Sequence, residues 1–207
     1  MDKKDFRITA KNRLKTGAKI HAKCAHYKIL KIVSNLIEIF KAKKILIFMP
    51  LFYEPDLYLL AKNFSKNRIK REFLVPFMLD VSFKMVKLRR PFEIARFGVK
   101  QPPNQNAQNG LDMAIIPCIG VDGNFARIGH GKGYYDIFFS YLKTKPIVVF
   151  VSLSDNFTKA EISQKHDLVG DFYITPKKIY LKKGKYDRVL NRLNSRCGRH
   201  FSRIFNS

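Results

Sequence analysis

Along the first forty positions the apolar residues recur at helical spacing. Ile29, Leu30, Ile32, Val33, Leu36, Ile37 and Phe40 share one side of a 3.6-residue repeat, and lysines fill the other. The spacing predicts one or two helices from about Lys3 to Lys41. Ile45–Met49 is then a short, wholly apolar run ended by Pro50, the pattern of a strand buried on both faces. A loop follows from Leu51 to Pro55, and Asp56 is placed to cap a helix running to about Lys66, with Leu57, Leu60, Ala61 and Phe64 turned inward. Glu72–Phe77 and Val81–Leu88 read as strands, Gln101–Gly110 as a polar loop, and Met113–Pro117 as another buried strand. Asp122-Gly123 marks a turn. Tyr134, Tyr135, Ile137, Phe138, Phe139, Tyr141 and Leu142 read as a helix, Ile147–Leu153 as a buried strand and Asp171–Ile174 as a short last one. No internal repeat is visible.

Strands alternate with helices, and the most apolar strands lack a period of two. This predicts an α/β single domain: a mostly parallel sheet flanked by helices on both faces, a Rossmann-like three-layer arrangement. In such sheets ligands lie beyond the carboxyl ends of the strands. The glycine-rich segment after Asp122 and Glu54 after the first strand can therefore face one cleft. The boundary expected from the pattern sets residues 1–176 as the α/β domain. Residues 177–207 are a basic, polar tail that is either helical near Tyr186–Leu193 or partly disordered.

Charge changes this picture only in part. The chain of 207 residues carries a formal net charge of +24. Residues 1–31 hold ten Lys/Arg against two Asp, and residues 177–207 hold ten against one. The ends thus supply +8 and +9, leaving +7 for the 145 residues between. A nucleic-acid-binding protein using its two basic ends is the alternative reading. The mildly basic middle argues against it and fits a protein that binds small anions. The longest apolar stretch, Ile45–Tyr53, is too short to span a membrane, and a charged N-terminus without an apolar h-region gives no secretory signal. Cys24, Cys118 and Cys197 are widely spaced and lack a C-x-x-C, which predicts reduced cysteines in a cytoplasmic protein, Cys118 in the core.

The chemistry concentrates in Ala126-Arg127-Ile128-Gly129-His130-Gly131-Lys132-Gly133-Tyr134-Tyr135-Asp136. Alternating glycines let backbone N–H groups gather around an anion, Arg127 and Lys132 add full charges, and Asp136 can hold a metal. This reads as a polyphosphate site, and by composition alone equally as a glycine-rich turn with solvated charges. It is neither a Walker P-loop nor a dinucleotide G-x-G-x-x-G.

The strand Asp112–Pro117, the Asp122-Gly123 turn and the Arg127–Asp136 segment together resemble the signature of the 5-formyltetrahydrofolate cyclo-ligase (methenyltetrahydrofolate synthetase) family, with Ile128 in place of a leucine. Lys3-Lys4-Asp5-Phe6-Arg7, Met49-Pro50 with Glu54, Gln101-Pro102, and His166-Asp167 with Asp171 and Thr175 follow in the family's order. The likeness covers about residues 3–176. It implies an ATP- and Mg²⁺-dependent enzyme that converts 5-formyltetrahydrofolate to 5,10-methenyltetrahydrofolate, releasing ADP and phosphate. Arg127 and Lys132 would be the catalytic cations. Lys3, Lys4, Asp5, Phe6, Arg7 and Arg127 through Tyr135 (Ile128, Gly129, His130, Gly131, Lys132, Gly133, Tyr134 among them) would bind ATP. Met49, Glu54 and His130 through Tyr134 would bind the folate, with Glu54 accepting from pterin N–H groups, and Asp136 and Asp167 would hold the metal. Nothing in the sequence sets the oligomeric state.

Overall fold

The computed structural model describes residues 2–64, 70–95, 98–182, 186–197 and 202–206. In chain order its elements are α1 (Lys3–Ile39), β1 (Lys44–Leu46), α2 (Tyr58–Phe64), β2 (Glu72–Met78), β3 (Phe83–Lys87), β4 (Glu93–Ile94), β5 (Lys100–Gln101), β6 (Met113–Pro117), β7 (Gly120–Val121), β8 (Arg127–Ile128), α3 (Tyr134–Ser140), β9 (Ile147–Val151), β10 (Phe172–Ile174), β11 (Lys178–Lys182), α4 (Asp187–Cys197) and β12 (Ser202–Asn206). Among the described residues no helix is long and apolar enough to cross a membrane.

The predicted first helix is one uninterrupted α1 of 37 residues, about 55 Å at 1.5 Å per residue. Asp2 caps its start, accepting the Asp5 N–H at 2.7 Å, and Asp5 adds a first-turn negative charge that suits the helix dipole. Its end is a Schellman turn: the Ala42 N–H reaches the Ile37 carbonyl and the Lys41 N–H the Glu38 carbonyl, with Lys41 at φ 52°. A lysine in this left-handed position carries a strain that glycine would not. α2 begins as predicted, with Asp56 accepting the Tyr58 N–H at 2.9 Å. Its predicted continuation to Lys66 lies outside the described residues.

Eight strands form the main sheet, in the order β12-β11-β10-β9-β6-β1-β2-β3. The central five, β10, β9, β6, β1 and β2, are parallel. β3 and β11 run antiparallel to their neighbours β2 and β10, and β12 lies parallel to β11. The central strands are apolar on both sides because both sides are covered. Ile45, Val75, Met113, Ile115, Val149 and Ile174 face the core under α1, α2 and α4. Leu46, Leu74, Ala114, Ile116, Phe150 and Tyr173 face the core under α3 and the neighbouring loops. The expected three-layer α/β arrangement is therefore the one observed.

The connectivity places the site. β1 pairs with β2 on one side and β6 on the other, so the chain leaves β1 first one way and later the other. The loops after β1 and β6 diverge at this switch point and open a crevice at the carboxyl end of the sheet.

The stretch after Pro176 corrects the expected boundary. β11 pairs with β10 over three residue positions, and Ile179, Tyr180 and Leu181 are buried in the two cores. α4 packs on α1, with Leu193 fully buried. The charged residues Lys177, Lys178 and Lys182 masked this in the sequence, because a five-residue strand with three buried positions between lysines carries too weak a pattern to outweigh them. Truncation after Pro176 should accordingly abolish soluble folded protein. The four buried side chains contribute on the order of 2 kcal/mol each, a sum comparable to a whole domain's stability. Circular dichroism and a melting curve of the truncated chain check this; a cooperative melt near that of the full chain would contradict it.

Candidate active site

Three loops converge beyond the carboxyl ends of β1 and β6. The first, residues 47–57, leaves β1. Glu54 lies in it, 8% exposed, its Oε2 accepting the Leu51 N–H at 3.0 Å. Burial pushes its carboxyl up to about 7, against that backbone hydrogen bond and the Arg127 charge, which both favour the ionised form. Met49, on the same loop, is buried in the α1-side core and so backs the loop rather than opening to solvent.

The second segment is the turn before β8. Asp122 is fully buried, and its two oxygens accept four backbone N–H groups: Asn124 and Ala126 on Oδ1, Ile162 and Ser163 on Oδ2. Phe125 takes φ 60° to close the turn. Asp122 was legible only as part of a turn; that it also anchors the chain forty residues downstream is a tertiary fact.

This turn delivers Arg127, 7% exposed. Its Nε donates to the Pro117 carbonyl at the end of β6 at 2.9 Å, and its guanidinium lies 4.8 Å from the centroid of the Tyr135 ring. A Cβ on Gly129 would stand 2.1 Å from the Arg127 Nη1, so any side chain there would push the guanidinium out of this position. Tyr135 is braced in turn by Phe83 at 5.1 Å, and burial raises its hydroxyl ionisation above the ordinary range.

The third is the glycine loop itself. Gly131 (φ 98°) and Gly133 (φ 70°) take backbone conformations that other residues avoid, and Gly133 leads directly into α3. Arg7 of α1 holds the loop from the other side, its Nε donating to the Gly129 carbonyl at 2.8 Å. Lys132 is exposed at the loop's centre. His130 meets the Tyr53 hydroxyl at 2.8 Å through Nε2. Desolvation, and then the charges of Arg127, Lys11 and Arg7, lower its protonation, so the ring is neutral at pH 7. Tyr134 reaches sideways to the Asp80 carbonyl in the β2–β3 turn at 3.4 Å.

The structure thus brings together Arg7, Glu54, Arg127, Gly129, His130, Gly131, Lys132 and Tyr135. Lys3 pairs with Asp167, whose same oxygen also accepts the Gln164 N–H at 2.6 Å. Asp136, in the first turn of α3, accepts the Leu168 N–H at 2.9 Å. Asp136 and Asp167 line one cleft of about 740 Å³ between α3 and the start of β10. Each keeps one carboxylate oxygen without a hydrogen-bond partner among the described residues. Lys4 and Asp5 are exposed. Phe6 is core, packed on Gly120, and Ile128 is fully buried, so neither side chain faces the crevice. Among the described residues no three His, Cys, Asp or Glu side chains cluster to hold a metal. One residue here escaped the sequence reading: Tyr53 looked like any apolar loop residue until its contact with His130 singled it out. Lys11, which with Arg13 forms a second basic pair on the first helix beside Lys3 and Arg7, bears on His130 through its charge.

Chemically the arrangement is a row of cations (Arg7, Lys11, Arg127 and Lys132) on a glycine backbone, with one buried carboxyl opposite. It can grip a polyanion and, beside it, a neutral group rich in N–H donors.

Comparison with known proteins agrees. The solution structure of Aquifex aeolicus 5,10-methenyltetrahydrofolate synthetase matches 86% of this chain and 92% of its own, with a TM-score of 0.68 and 24% identity. The Mycoplasma pneumoniae 5,10-methenyltetrahydrofolate synthetase matches 85% and 99%, with a TM-score of 0.64 and 18% identity. At these identities the likeness speaks for the fold. Among curated sequences, the 5-formyltetrahydrofolate cyclo-ligase of Saccharomyces cerevisiae is 33% identical over 93 residues, 42% of this chain and 43% of that protein. That of Mycolicibacterium smegmatis is 27% identical over 88 residues, 41% and 45%. The chain thus spans under half the length of the curated relatives it matches. The 5-formyltetrahydrofolate cyclo-ligase family model, however, matches residues 2–156, well over half of the chain, and takes in α1, Glu54 and the whole glycine loop. The chain belongs to the 5-formyltetrahydrofolate cyclo-ligase family.

Proposed function

We propose that this protein uses ATP to close the ring of 5-formyltetrahydrofolate, giving 5,10-methenyltetrahydrofolate, ADP and phosphate. The observation that carries this reading is the pairing, across the β1/β6 switch point, of a buried carboxyl at Glu54 with the Arg127–Gly133 loop. One loop suits a pterin, the other a polyphosphate.

The formyl oxygen on N5 is a poor leaving group. Transfer of the terminal phosphoryl group forms an O–P bond as the bond to ADP breaks. N10 then attacks the formyl carbon, the C–O bond breaks, phosphate leaves with the oxygen and N10 gives up its proton. Phosphoryl transfer asks for positioning and charge neutralisation rather than a nucleophilic side chain. Arg127 is desolvated and fixed by Pro117 and Tyr135, so its charge is already oriented toward incoming anions. Lys132, exposed on the loop, closes on the transferred group. Glu54 in its ionised form accepts from pterin N–H groups, which repay the desolvation that otherwise favours its neutral form.

Asp136 and Asp167 suit a Mg²⁺ ion that arrives with the nucleotide. Mg²⁺ takes one or two carboxylates plus substrate phosphates and several waters rather than an all-protein cage, in keeping with two hard oxygens on one cleft. When bound, it would neutralise phosphate charge.

The direct test is methenyl absorbance appearing when protein, ATP, Mg²⁺ and 5-formyltetrahydrofolate are mixed; no product at any concentration would overturn the reading. Lys132→Ala should lower kcat by about a hundredfold while leaving the melting temperature within a degree or two, since loss of one preorganised charge at a developing anion has about that effect. Turnover near wild type would remove Lys132 from the chemistry.

Glu54→Gln should weaken folate binding by more than tenfold and ATP binding by less than twofold, because an amide puts a donor where the pterin needs an acceptor. Titrating each ligand separately separates these. The same substitution has an opposite effect on stability. The Glu54 carboxyl is held at about 7, above its ordinary 4.5, so folding favours its protonated form. The stability this gives is complete below pH 4.5 and is lost as pH rises through 7. Above pH 7 Glu54→Gln should therefore be more stable than wild type by up to about 3 kcal/mol, with the gap closing toward pH 5. Denaturant midpoints at pH 5 and pH 8.5 check this.

A further inference from the structure

A side-chain hydrogen bond joins the two loops that form the site. Tyr53, 6% exposed, sits one residue before Glu54. Its hydroxyl meets Nε2 of His130 at 2.8 Å, with ring centroids 5.8 Å apart and the planes tilted by 38°. His130 is two residues from Lys132 and lies between two of the loop's glycines. Tyr53 is steadied by Phe52, edge-on at 4.8 Å. Among the described residues no backbone–backbone hydrogen bond joins residues 47–57 to residues 129–133.

The bond has a definite direction. Burial, with the neighbouring Glu54 charge, pushes Tyr53 ionisation up to about 12, so its O–H keeps its proton. Nε2 of His130 is the partner this proton has among the described residues. If Tyr53 instead accepted from an Nε2–H, its own buried O–H would go unpaired at the cost of a desolvated donor. His130 has no such constraint, because its residue surface is exposed and solvent can take the other ring nitrogen. With desolvation first, and then Arg127, Lys11 and Arg7, opposing an imidazolium, the ring is neutral. Tyr53 therefore donates to Nε2, and the imidazole proton sits on Nδ1.

We propose that Tyr53 and His130 form a latch that registers the Glu54 loop against the glycine loop, Tyr53 acting as a positioning residue through His130. This rests on the function proposed above, in which Glu54 holds the pterin and the glycine loop holds the phosphate that must reach it. A reaction between groups on two separate loops depends on their register: reacting atoms need about 3–3.5 Å, and a displacement of about 1 Å can cost on the order of a hundredfold in rate. The latch fixes that register without touching the reacting atoms. The pattern is local to this chain's residues, because the position between the glycines matters here only when it carries a hydrogen-bond acceptor within reach of Tyr53.

The test is a double-mutant cycle with a spectroscopic arm. Tyr53→Phe and His130→Leu should each lower kcat by roughly tenfold, and for Tyr53→Phe the separately titrated affinities for ATP and for 5-formyltetrahydrofolate should stay within about twofold. The double variant should be no slower than either single one, since both break the same contact. His130→Gln, whose amide oxygen can still accept from Tyr53, should recover most of the rate. In nitrogen-15 spectra of folded wild-type protein at pH 8, His130 should carry its proton on Nδ1, and Tyr53→Phe should release that preference. Multiplying rate losses in the double variant, or a wild-type His130 protonated on Nε2, would overturn the latch. If the wild-type protein forms no methenyl product, the proposed function fails while the latch is still judged, by the His130 tautomer and by whether the stability losses of the two variants are coupled or additive.

Discussion

A guanidinium with little solvent, held within electrostatic reach of a buried carboxyl, is the constraint around which this end of the molecule is organised. Arg127 at 7% exposure cannot be left to find its own partners. The carbonyl of Pro117 takes its Nε, the Tyr135 ring covers its face, and Glu54 is near enough to feel its charge. Each of these partners comes from a different element, β6, α3 and the loop after β1, so fixing one side chain fixes three pieces of chain. The absence of a side chain at Gly129 follows from the same crowding.

Support for Arg127 extends well below the crevice. Asp122 ties its turn to residues 162 and 163 by accepting two backbone N–H groups from the turn and two from those residues, and the Arg127 N–H itself bonds the Leu168 carbonyl at 2.8 Å. Asp136 then secures the Leu168 N–H. The glycine loop is thus bracketed at both ends by carboxylates that each accept backbone N–H groups. This leaves Arg127 fixed where a reaction needs preorganised charge, with Lys132 exposed at the centre of the loop.

The cation-rich crevice and the raised carboxyl are two sides of one electrostatic arrangement. Burial disfavours charge on Glu54, and the arginine partly offsets this. The cost appears as lost stability at neutral and higher pH, and it is tolerable because the two cores beneath the crevice are continuous across all five parallel strands. His130 is held neutral by desolvation first and then by the same cations, so it acts as a hydrogen-bond acceptor rather than a fifth positive charge.

The sequence by itself determined the layers of the fold and marked the residues proposed to carry the chemistry. Wholly apolar runs such as Met113–Pro117 and Ile147–Val151 can be satisfied only between two covering layers, and the helical repeat of Ile29–Ile37 fixes which face of α1 is buried. The glycine spacing and Arg127 were likewise legible, because positive φ, close approach and charge are properties of single residues in a local pattern, while the role expected of Glu54 came from the resemblance to the family. Tertiary structure alone decided the rest. Only the fold shows that Lys3 spends its charge on Asp167, that Phe6 is core, that Tyr53 meets His130 across 77 positions, and that the lysine-rich stretch after Pro176 supplies an interior strand. Each of these is a contact between residues far apart in sequence, and periodicity and local propensity carry no information about which distant partner a side chain will meet.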